Sequence, residues 1–555
     1  MKKTITIIAV ILFVSLQTFS QAPNWEWAKH IGGVFGDAAN SVAIDKSGNV
    51  YTTGFFTGTV DFDPGPGTYY LSTGGNQFDN PYVTKFDAYG NLIWAKVFVA
   101  NTTSCHGTSI AIDTLGNVYT TGYFIGTMDF DPGPGTYYLT ANSGNGGSAC
   151  YISKLDSSGN FIWAKEFGGG TAADAYGYSI TLDANCNVFT TGSFYGTVDF
   201  NPGPGVYNLS APNIYENFIS KLDSSGNFIW AKRMVGTGNE NGYSIALDAA
   251  CNVYTTGNFI GTTDFDPGLG TYNLSATSAS GDIFVSKLDS SGNFVWAKRM
   301  GGGSPSVAYS IALDTSANVY TTGSFQGIVD FDPGAGTYNL TSTSSNSDIF
   351  ISKLDSSGNF VWAKRIGETN YNAGYNTGYS ISVDDSANVY YTGSFEETVD
   401  FNPGPGTFYL TSAGDRDVFI SKLDSSGNFV WAKSVGGTNR DYGYSIKSDN
   451  SGNVYVAGYF ISSSISFDSV TFAGDGGGDI FISKIAPCDA IIPTITITGN
   501  TLLCDGDSVT LTSSSNSTNL WSNGSENQSI TVSSAGNYFV TTIDGNEIFI
   551  NIWCR

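Results

Sequence analysis

Histidine is nearly missing from this chain: His30 and His106 are the only two among 555 residues. With so few, no Ser/His/Asp constellation and no His/Cys set at metal-ligand spacing is visible. Cations are scarce too, 24 Lys plus Arg against 48 Asp plus Glu, for a formal charge of -24. Phosphate recognition needs clustered cations, so this balance argues against nucleic acid and anionic membrane as partners. Apolar residues nowhere recur convincingly at helical spacing, and no run is long enough to be a transmembrane segment. Ile5 to Leu16 is the one extended apolar stretch. Between Met1-Lys2-Lys3 and the small Ser20 it reads as a signal peptide over residues 1–20. No cysteine follows it, which argues against lipoprotein processing. The expected mature protein is a soluble monomer, secreted or associated with the cell surface.

What is abundant is repetition. Trp-Ala-Lys returns at Trp27, Trp94, Trp163, Trp230, Trp296, Trp362 and Trp431, at intervals of 66 to 69 residues. A period that size signals stacked or radial repeats. One period runs Ser109-Ile110-Ala111-Ile112-Asp113, a turn, then Asn117-Val118-Tyr119-Thr120-Thr121-Gly122. After a Gly/Pro-rich stretch come Tyr151-Ile152-Ser153-Lys154-Leu155-Asp156, a second turn, and Asn160-Phe161-Ile162-Trp163-Ala164-Lys165. Short β-branched and aromatic runs bounded by Asp, Ser, Gly and Asn are strands. Four strands per radial unit, here called a to d, predict the blades of an all-β propeller. The last unit stops after strand c at Ile480-Phe481-Ile482-Ser483-Lys484, while Asn24-Trp25-Glu26-Trp27-Ala28-Lys29 supplies an unattached strand d. Pairing the two predicts a seven-bladed β-propeller over 24–487 with 3+1 ring closure by the N-terminal strand, leaving no edge exposed.

The strand ending Ala43-Ile44-Asp45, the hairpin Ser47-Gly48-Asn49-Val50-Tyr51 and the later Ser-Lys-Leu-Asp-Ser-Ser-Gly-Asn hairpins resemble the β-propeller repeat of bacterial secreted proteins. The Asp-Phe-Asp-Pro-Gly-Pro-Gly-Thr insert is similar to variants common in Bacteroidetes. The resemblance implies a secreted, seven-bladed, non-enzymatic propeller and no defined ligand. After Pro487 the repeat gives way to short alternating strands such as Ser508-Val509-Thr510-Leu511-Thr512 and Ser529-Ile530-Thr531-Val532, which predict a small β-sandwich over 488–555. The run from Cys504 to Leu511, then Trp521-Ser522-Asn523-Gly524 and Gly536-Asn537-Tyr538, resembles immunoglobulin-like modules of Bacteroidetes surface proteins. That likeness implies an extracellular accessory role.

The cysteines fit an oxidising compartment without forming a disulfide scaffold. Cys504 and Cys554, near opposite ends of the C-terminal region, are one candidate pair, with Cys488 able to compete. Cys105 and Cys150 precede strands a and c of the same unit, which run in one direction, so they are a second candidate pair. Cys186 and Cys251 occupy equivalent turns of adjacent units, too far apart to bond. They replace the glycine of an Asp-x-x-Gly-Asn turn, as Ala317 and Ala387 do, so the following Asn is expected to carry the positive φ there.

Strand alternation puts the a–b and c–d turns on one face and the b–c and d–a loops on the other. The first face is monotonous and the second is individual. His30, His106 and Arg440 fall in its d–a loops and Arg416 in a b–c loop, which makes them the candidate ligand-binding residues. Asp61-Phe62-Asp63-Pro64-Gly65 and its repeats offer paired carboxylates that suit calcium, but one insert supplies too few oxygens and reads better as a capped hairpin. No cofactor is expected. Arg233, Arg299 and Arg365 follow Trp-Ala-Lys in successive units and spread around the rim, so a glycosidase-like site is disfavoured. The turn-plus-tryptophan element is similar to the docking motif of quinone-dependent dehydrogenases, whose cofactor ligands have no counterpart here. The chain therefore reads as a binding module, not an enzyme, recognising a glycan or protein through the loop face. A structural spacer or surface-layer component is the alternative.

Overall fold

The computed structural model describes residues 23–75, 77–100, 103–141, 146–170, 172–342, 346–368, 374–487, 495–498, 502–503, 508–513, 519–534, 536–542 and 547–554. The expected leader at 1–20, Cys488 and Cys504 lie outside these. The chain divides into one unit at Pro23–Pro487 and a second that comprises Cys488–Arg555. Among the described residues every regular element is a strand.

In the first repeat, strands a to d are Ala38–Ile44, Val50–Phe56, Asn80–Phe86 and Leu92–Val97, paired antiparallel in chain order. The same meander recurs with strands a starting at His106, Asp174, Glu240, Ser306 and Thr377. The last repeat supplies Asp441–Ser448, Val454–Phe460 and Asp479–Ile485, and its outer strand is Trp25–Ile31. That strand runs antiparallel to strand c, from Trp27 opposite Lys484 to Ile31 opposite Ile480. Successive blades pack face to face around an axis, the radial arrangement of a β-propeller.

Three layers join neighbouring blades. Innermost, a serine in each strand a accepts the backbone N–H of the next blade. Ser41 accepts from Ile110 (3.3 Å), Ser109 from Ile180 (3.2 Å), Ser179 from Ile245 (3.3 Å) and Ser244 from Ile311 (3.2 Å). Ser310 accepts from Ile381 (3.2 Å), Ser380 from Ile446 (3.1 Å) and Ser445 from Val42 (3.1 Å), which returns the relay to the first blade. The middle layer is aromatic and aliphatic, as where Tyr51, Val83 and Trp94 of one blade meet Ile110, Phe124 and Tyr151 of the next. Outermost, the repeated tryptophan donates across the junction: Trp94 Nε1 to Ser157 O at 3.2 Å, Trp163 to Ser224 O at 3.3 Å and Trp27 to Ala88 O at 3.0 Å. Gly159 must be glycine here, because a Cβ would lie 2.8 Å from Lys96 Cε and 3.1 Å from Trp94 Cδ2.

The Asp-Phe-Asp insert is a hairpin, Thr59–Asp61 against Tyr70–Ser72 in the first blade. Asp61 Oδ1 accepts from the N–H groups of Asp63 and Tyr69, and Asp63 Oδ1 from Gly65 N–H. These oxygens are therefore spent on the turn itself. Later inserts also pair with the end of strand d in the preceding blade, as Met128 with Ala100 and Asp199 with Gly168. Their tyrosines pack at a tilt on the first phenylalanine of their own blade's strand d, Tyr137 on Phe161 and Tyr207 on Phe228, each at 4.8 Å. The insert lies along the blade flank and fastens neighbours together.

Two expectations are corrected. Cys105 and Cys150 are free, buried thiols. Cys105 packs with Tyr51 and Val83 on the side facing the first blade, Cys150 with Tyr119 and Phe194 on the side facing the third. They share a rim but point to opposite faces of one sheet. In the turns that lack glycine, the left-handed conformation falls on the replacing residue itself: Cys186 and Cys251 at φ 59, Ala317 at 59 and Ala387 at 61. The following asparagine is held extended because its Nδ2 donates to the turn aspartate, as Asn318 to Asp314 at 2.8 Å.

The second unit contains a three-stranded sheet, Ile495–Thr498, Val509–Ser513 and Ser529–Val532, and a four-stranded one built from Leu502–Leu503, Glu547–Cys554, Gly536–Thr542 and Asn519–Trp521. Val509, Leu511, Trp521, Ile530, Val532 and Val540 form its core. The proposed Cys504–Cys554 bridge rests on Cys504, outside the described residues.

Alanine in a left-handed position costs about 1 kcal/mol more than glycine. Ala317→Gly and Ala387→Gly are each expected to raise stability by about 0.5–1 kcal/mol, read as a higher urea midpoint with unchanged slope. Removing residues 1–31 should leave the Asp479–Ile485 edge unpaired and drive self-association, seen by light scattering. A peptide of residues 23–33 supplied in trans should reverse it.

Candidate functional site

Each strand a carries a β-bulge one residue before its relay serine. A bulge re-aims the extra side chain, and the bulged residues are Asn40, Thr108, Tyr178, Tyr243, Tyr309, Tyr379 and Tyr444. The preceding residue must be small: a Cβ on Gly177 would lie 2.3 Å from Thr121 Oγ1 of the neighbouring blade. The tyrosines, all half-buried, touch one another in sequence around the axis. Ring centroids are 5.5 Å apart for Tyr178–Tyr243, 5.4 Å for Tyr243–Tyr309, 5.7 Å for Tyr309–Tyr379 and 5.3 Å for Tyr379–Tyr444. Tyr176 and Tyr123 extend the series at one end, and Tyr442 and Tyr459 at the other. The result is an aromatic crescent on the loop face, interrupted where Asn40 stands.

Two of the candidate residues join this crescent. His106 stacks on Phe55 at 4.1 Å, contacts Tyr123 at 5.2 Å and hydrogen-bonds Asp79 at 2.9 Å. The pull of burial on Asp79 is overcome by the bonds from His106, Thr57 and Ser104, which hold its carboxyl below the ordinary range. Arg416 lies over Tyr375 and Tyr442, at 5.2 and 5.9 Å, and pairs with Glu396. Arg440 is exposed, pairs with Asp415 at 2.7 Å and bridges to Arg416 through the backbone. His30 stands apart, in strand Trp25–Ile31, tilted against Phe460 and Phe472 with Nε2 3.5 Å from buried Asp479. His30, Asp475 and Asp479 place one ligand atom each within 4.8 Å of one another and are the described group best able to hold a metal. Arg299 and Arg365 each pair with a buried aspartate of their own blade, Asp282 at 2.7 Å and Asp348 at 2.6 Å, and Arg233 pairs with Glu216 in the same way. They converge on no common point.

The crescent surrounds one end of an axial cavity of about 380 Å³, walled by strands a of every blade and including Asn40, Tyr178 and Tyr444. A second cavity of about 510 Å³ opens toward the a–b turns. Two of the tyrosine hydroxyls are weak acids here: burial first, then neighbouring tyrosines, push Tyr123 and Tyr379 to about 12. They stay protonated and able to donate. Sequence reading missed the crescent because tyrosine is common in this chain. The signal was the residue before each strand-a serine, aligned across blades.

The Beta-propeller repeat family matches residues 93–123, the stretch from the first strand d to the second strand b. An uncharacterized WD repeat-containing protein of Acanthamoeba polyphaga mimivirus is 26% identical over 520 residues, which is 80% of this chain and 36% of that protein. The chain thus spans about a third of that relative's length. Among solved structures, streptogramin B lyase is 11% identical with a TM-score of 0.34, covering 82% of this chain and 98% of its own. The pyranose dehydrogenase PQQ domain of Coprinopsis cinerea is 10% identical with a TM-score of 0.31, covering 83% and 98%. Likeness at that level carries no statement about activity. The chain is a β-propeller repeat protein, and among its described residues no helix is long and apolar enough to cross a membrane.

Among the described residues, the seam between last and first blades also holds a buried carboxyl with no cation beside it. Burial raises the carboxyl of Asp37 from 3.8 to about 8, with Asp479 and Asp79 adding to it and backbone N–H groups of Thr57 and Gly33 opposing. Native Asp37 keeps a proton that the unfolded chain releases near pH 4. Its contribution is therefore complete below about pH 4 and lost as pH rises through about 8. Asp37→Asn should flatten the fall in unfolding free energy across that window, measured by urea titration at successive pH values. An unchanged slope would place the source elsewhere.

Proposed function

We propose that the chain is a secreted or cell-surface binding protein: a seven-bladed propeller that recognises a glycan through its loop face, followed by an immunoglobulin-like module that spaces or presents it. The observation that supports this reading is the aromatic crescent. Half-buried tyrosines in tilted contact around an opening present apolar ring faces beside hydroxyl donors. Sugars pair an apolar face with a rim of hydroxyls, so the two surfaces are complementary. Tyrosine also gives contact area at low entropic cost, since only two torsions are fixed on binding. His106, Arg416 and Arg440 flank the crescent with polar groups that set specificity. Binding without catalysis suits flanking groups that are each held by a carboxylate, His106 by Asp79, Arg416 by Glu396 and Arg440 by Asp415.

A structural spacer is the second reading, favoured by the inserts, which stitch neighbouring blades and leave the flanks uniform. A polysaccharide pull-down with the mature chain, with and without calcium, separates the two. Tyr309→Ala and Tyr379→Ala should each weaken a genuine glycan ligand about 3- to 10-fold, as expected for loss of one aromatic contact. Binding that survives both substitutions would remove the crescent from the site, and a blank screen would favour the spacer.

A further inference from the structure

Strand a of the last blade places a lysine where no other blade has a charge. At this level the other blades present Ala43, Ala111, Thr181, Ala246, Ala312 and Ser382, and the last presents Lys447. The residue borders both axial cavities and so stands where they meet. Its side chain is exposed to solvent within the bore, and the protein packed around that opening draws its ammonium below the ordinary lysine range. Both statements hold for a group projecting into a narrow bore.

Among the described residues nothing pairs with it. The nearest carboxylate in sequence, Asp449, is committed to its own turn, accepting from Ser451 N, Asn453 N, Asn453 Nδ2 and Tyr455 hydroxyl. Asp45, which also lines the cavity on the a–b side, is likewise committed to its turn, accepting from Ser47 N, Asn49 N, Asn49 Nδ2 and Tyr51 hydroxyl. The Ser-Lys lysines of the repeat are differently placed, with Lys154 and Lys287 lying over Tyr119 and Tyr254 at 4.8 and 4.7 Å. Two residues from Lys447, and on the same side of the strands, is the relay of serines that lines the cavity. Each serine oxygen is engaged by an incoming N–H, which leaves the hydroxyl proton to be given away. The bore thus offers an ammonium with three donors and, about 7 Å further along the strands, a circle of hydroxyl donors. A cation without a counter-ion beside a circle of donors is matched by an occupant that only accepts.

We propose that the axial channel binds a small oxyanion or carboxylate, held by the Lys447 ammonium and the serine hydroxyls of the relay. Tyr444 stands three residues earlier on the same strand, about 10 Å away along it. A carboxylate borne on a sugar could therefore reach Lys447 while its ring rests on the crescent. That extension rests on the glycan reading, whereas the anion site itself does not.

The test uses the full mature chain with lysines reductively methylated with ¹³C-formaldehyde, which keeps their charge. The Lys447 signal is assigned by its loss in Lys447→Met, a replacement that removes the charge while keeping a side chain of similar length. Sodium acetate and sodium glucuronate are then titrated at constant ionic strength. The expected result is a saturable shift of the Lys447 signal alone, with its titration midpoint moving upward. A Lys447 signal that moves no more than the surface lysines overturns the proposal. Equal affinity for both anions identifies a free-anion site. About tenfold tighter glucuronate binding that is lost in Tyr444→Ala identifies a sugar acid, tenfold corresponding to about 1.4 kcal/mol. A saturable acetate shift with a blank polysaccharide screen would retain the anion site and remove the glycan reading.

Discussion

The inner relay of serines is the constraint on which the rest of this structure depends. A strand facing an axial opening has lost a partner on one side, and its N–H groups must be satisfied from somewhere. Here each strand a takes a serine oxygen from the neighbouring blade, and the last blade returns the favour to the first through Ser445 and Val42. Each such bond is individually worth about 1 kcal/mol, but together they fix the angular register of every blade. The bulge beside each serine follows from the same geometry, since the strand must bend to present a hydroxyl sideways. The tyrosines are aimed by those bulges. Scaffold and candidate site therefore share one origin.

Further from the axis the fastenings become larger and more local. Trp94, Trp163 and Trp27 reach over to the next c–d turn, and the inserts add strand pairing between blades along the flanks. Closure by Trp25–Ile31 makes the ring's integrity depend on residues far apart in sequence. The seam is also where the repeat's ion pairing changes character. His30 takes the place opposite Phe481 that arginine takes opposite Phe284 and Phe350, and Asp37 is buried with a raised carboxyl nearby.

On the loop face the same repetition yields asymmetry. The crescent runs through the blades that carry tyrosine and breaks at Asn40, whose Nδ2 is turned to Gly107 O at 2.8 Å. Lys447 lies in the adjoining blade. A ring of identical units would present an axially symmetric mouth. Single replacements at Asn40, Thr108 and Lys447 give this one a front and a back, which is what recognition of an unsymmetrical molecule requires.

Much was legible from the chain alone. The Trp-Ala-Lys period marked the units, two-residue alternation and Asp-x-x-Gly-Asn turns marked the strands, and the orphan strand at Asn24–Lys29 named the partner for the last strand c. Such features are local, or are repeated so often that local patterns suffice. Tertiary structure decided what depends on which side of a strand a residue faces and on what closure brings beside it. Cys105 and Cys150 share a rim yet point into different junctions, a distinction that spacing along the chain does not carry. Ala317 and Ala387 take the left-handed turn because their asparagines are already tied to aspartate. The tyrosine crescent and the solitary Lys447 join positions about a repeat apart, and only radial closure turns equivalent residues in separate blades into neighbours around one axis.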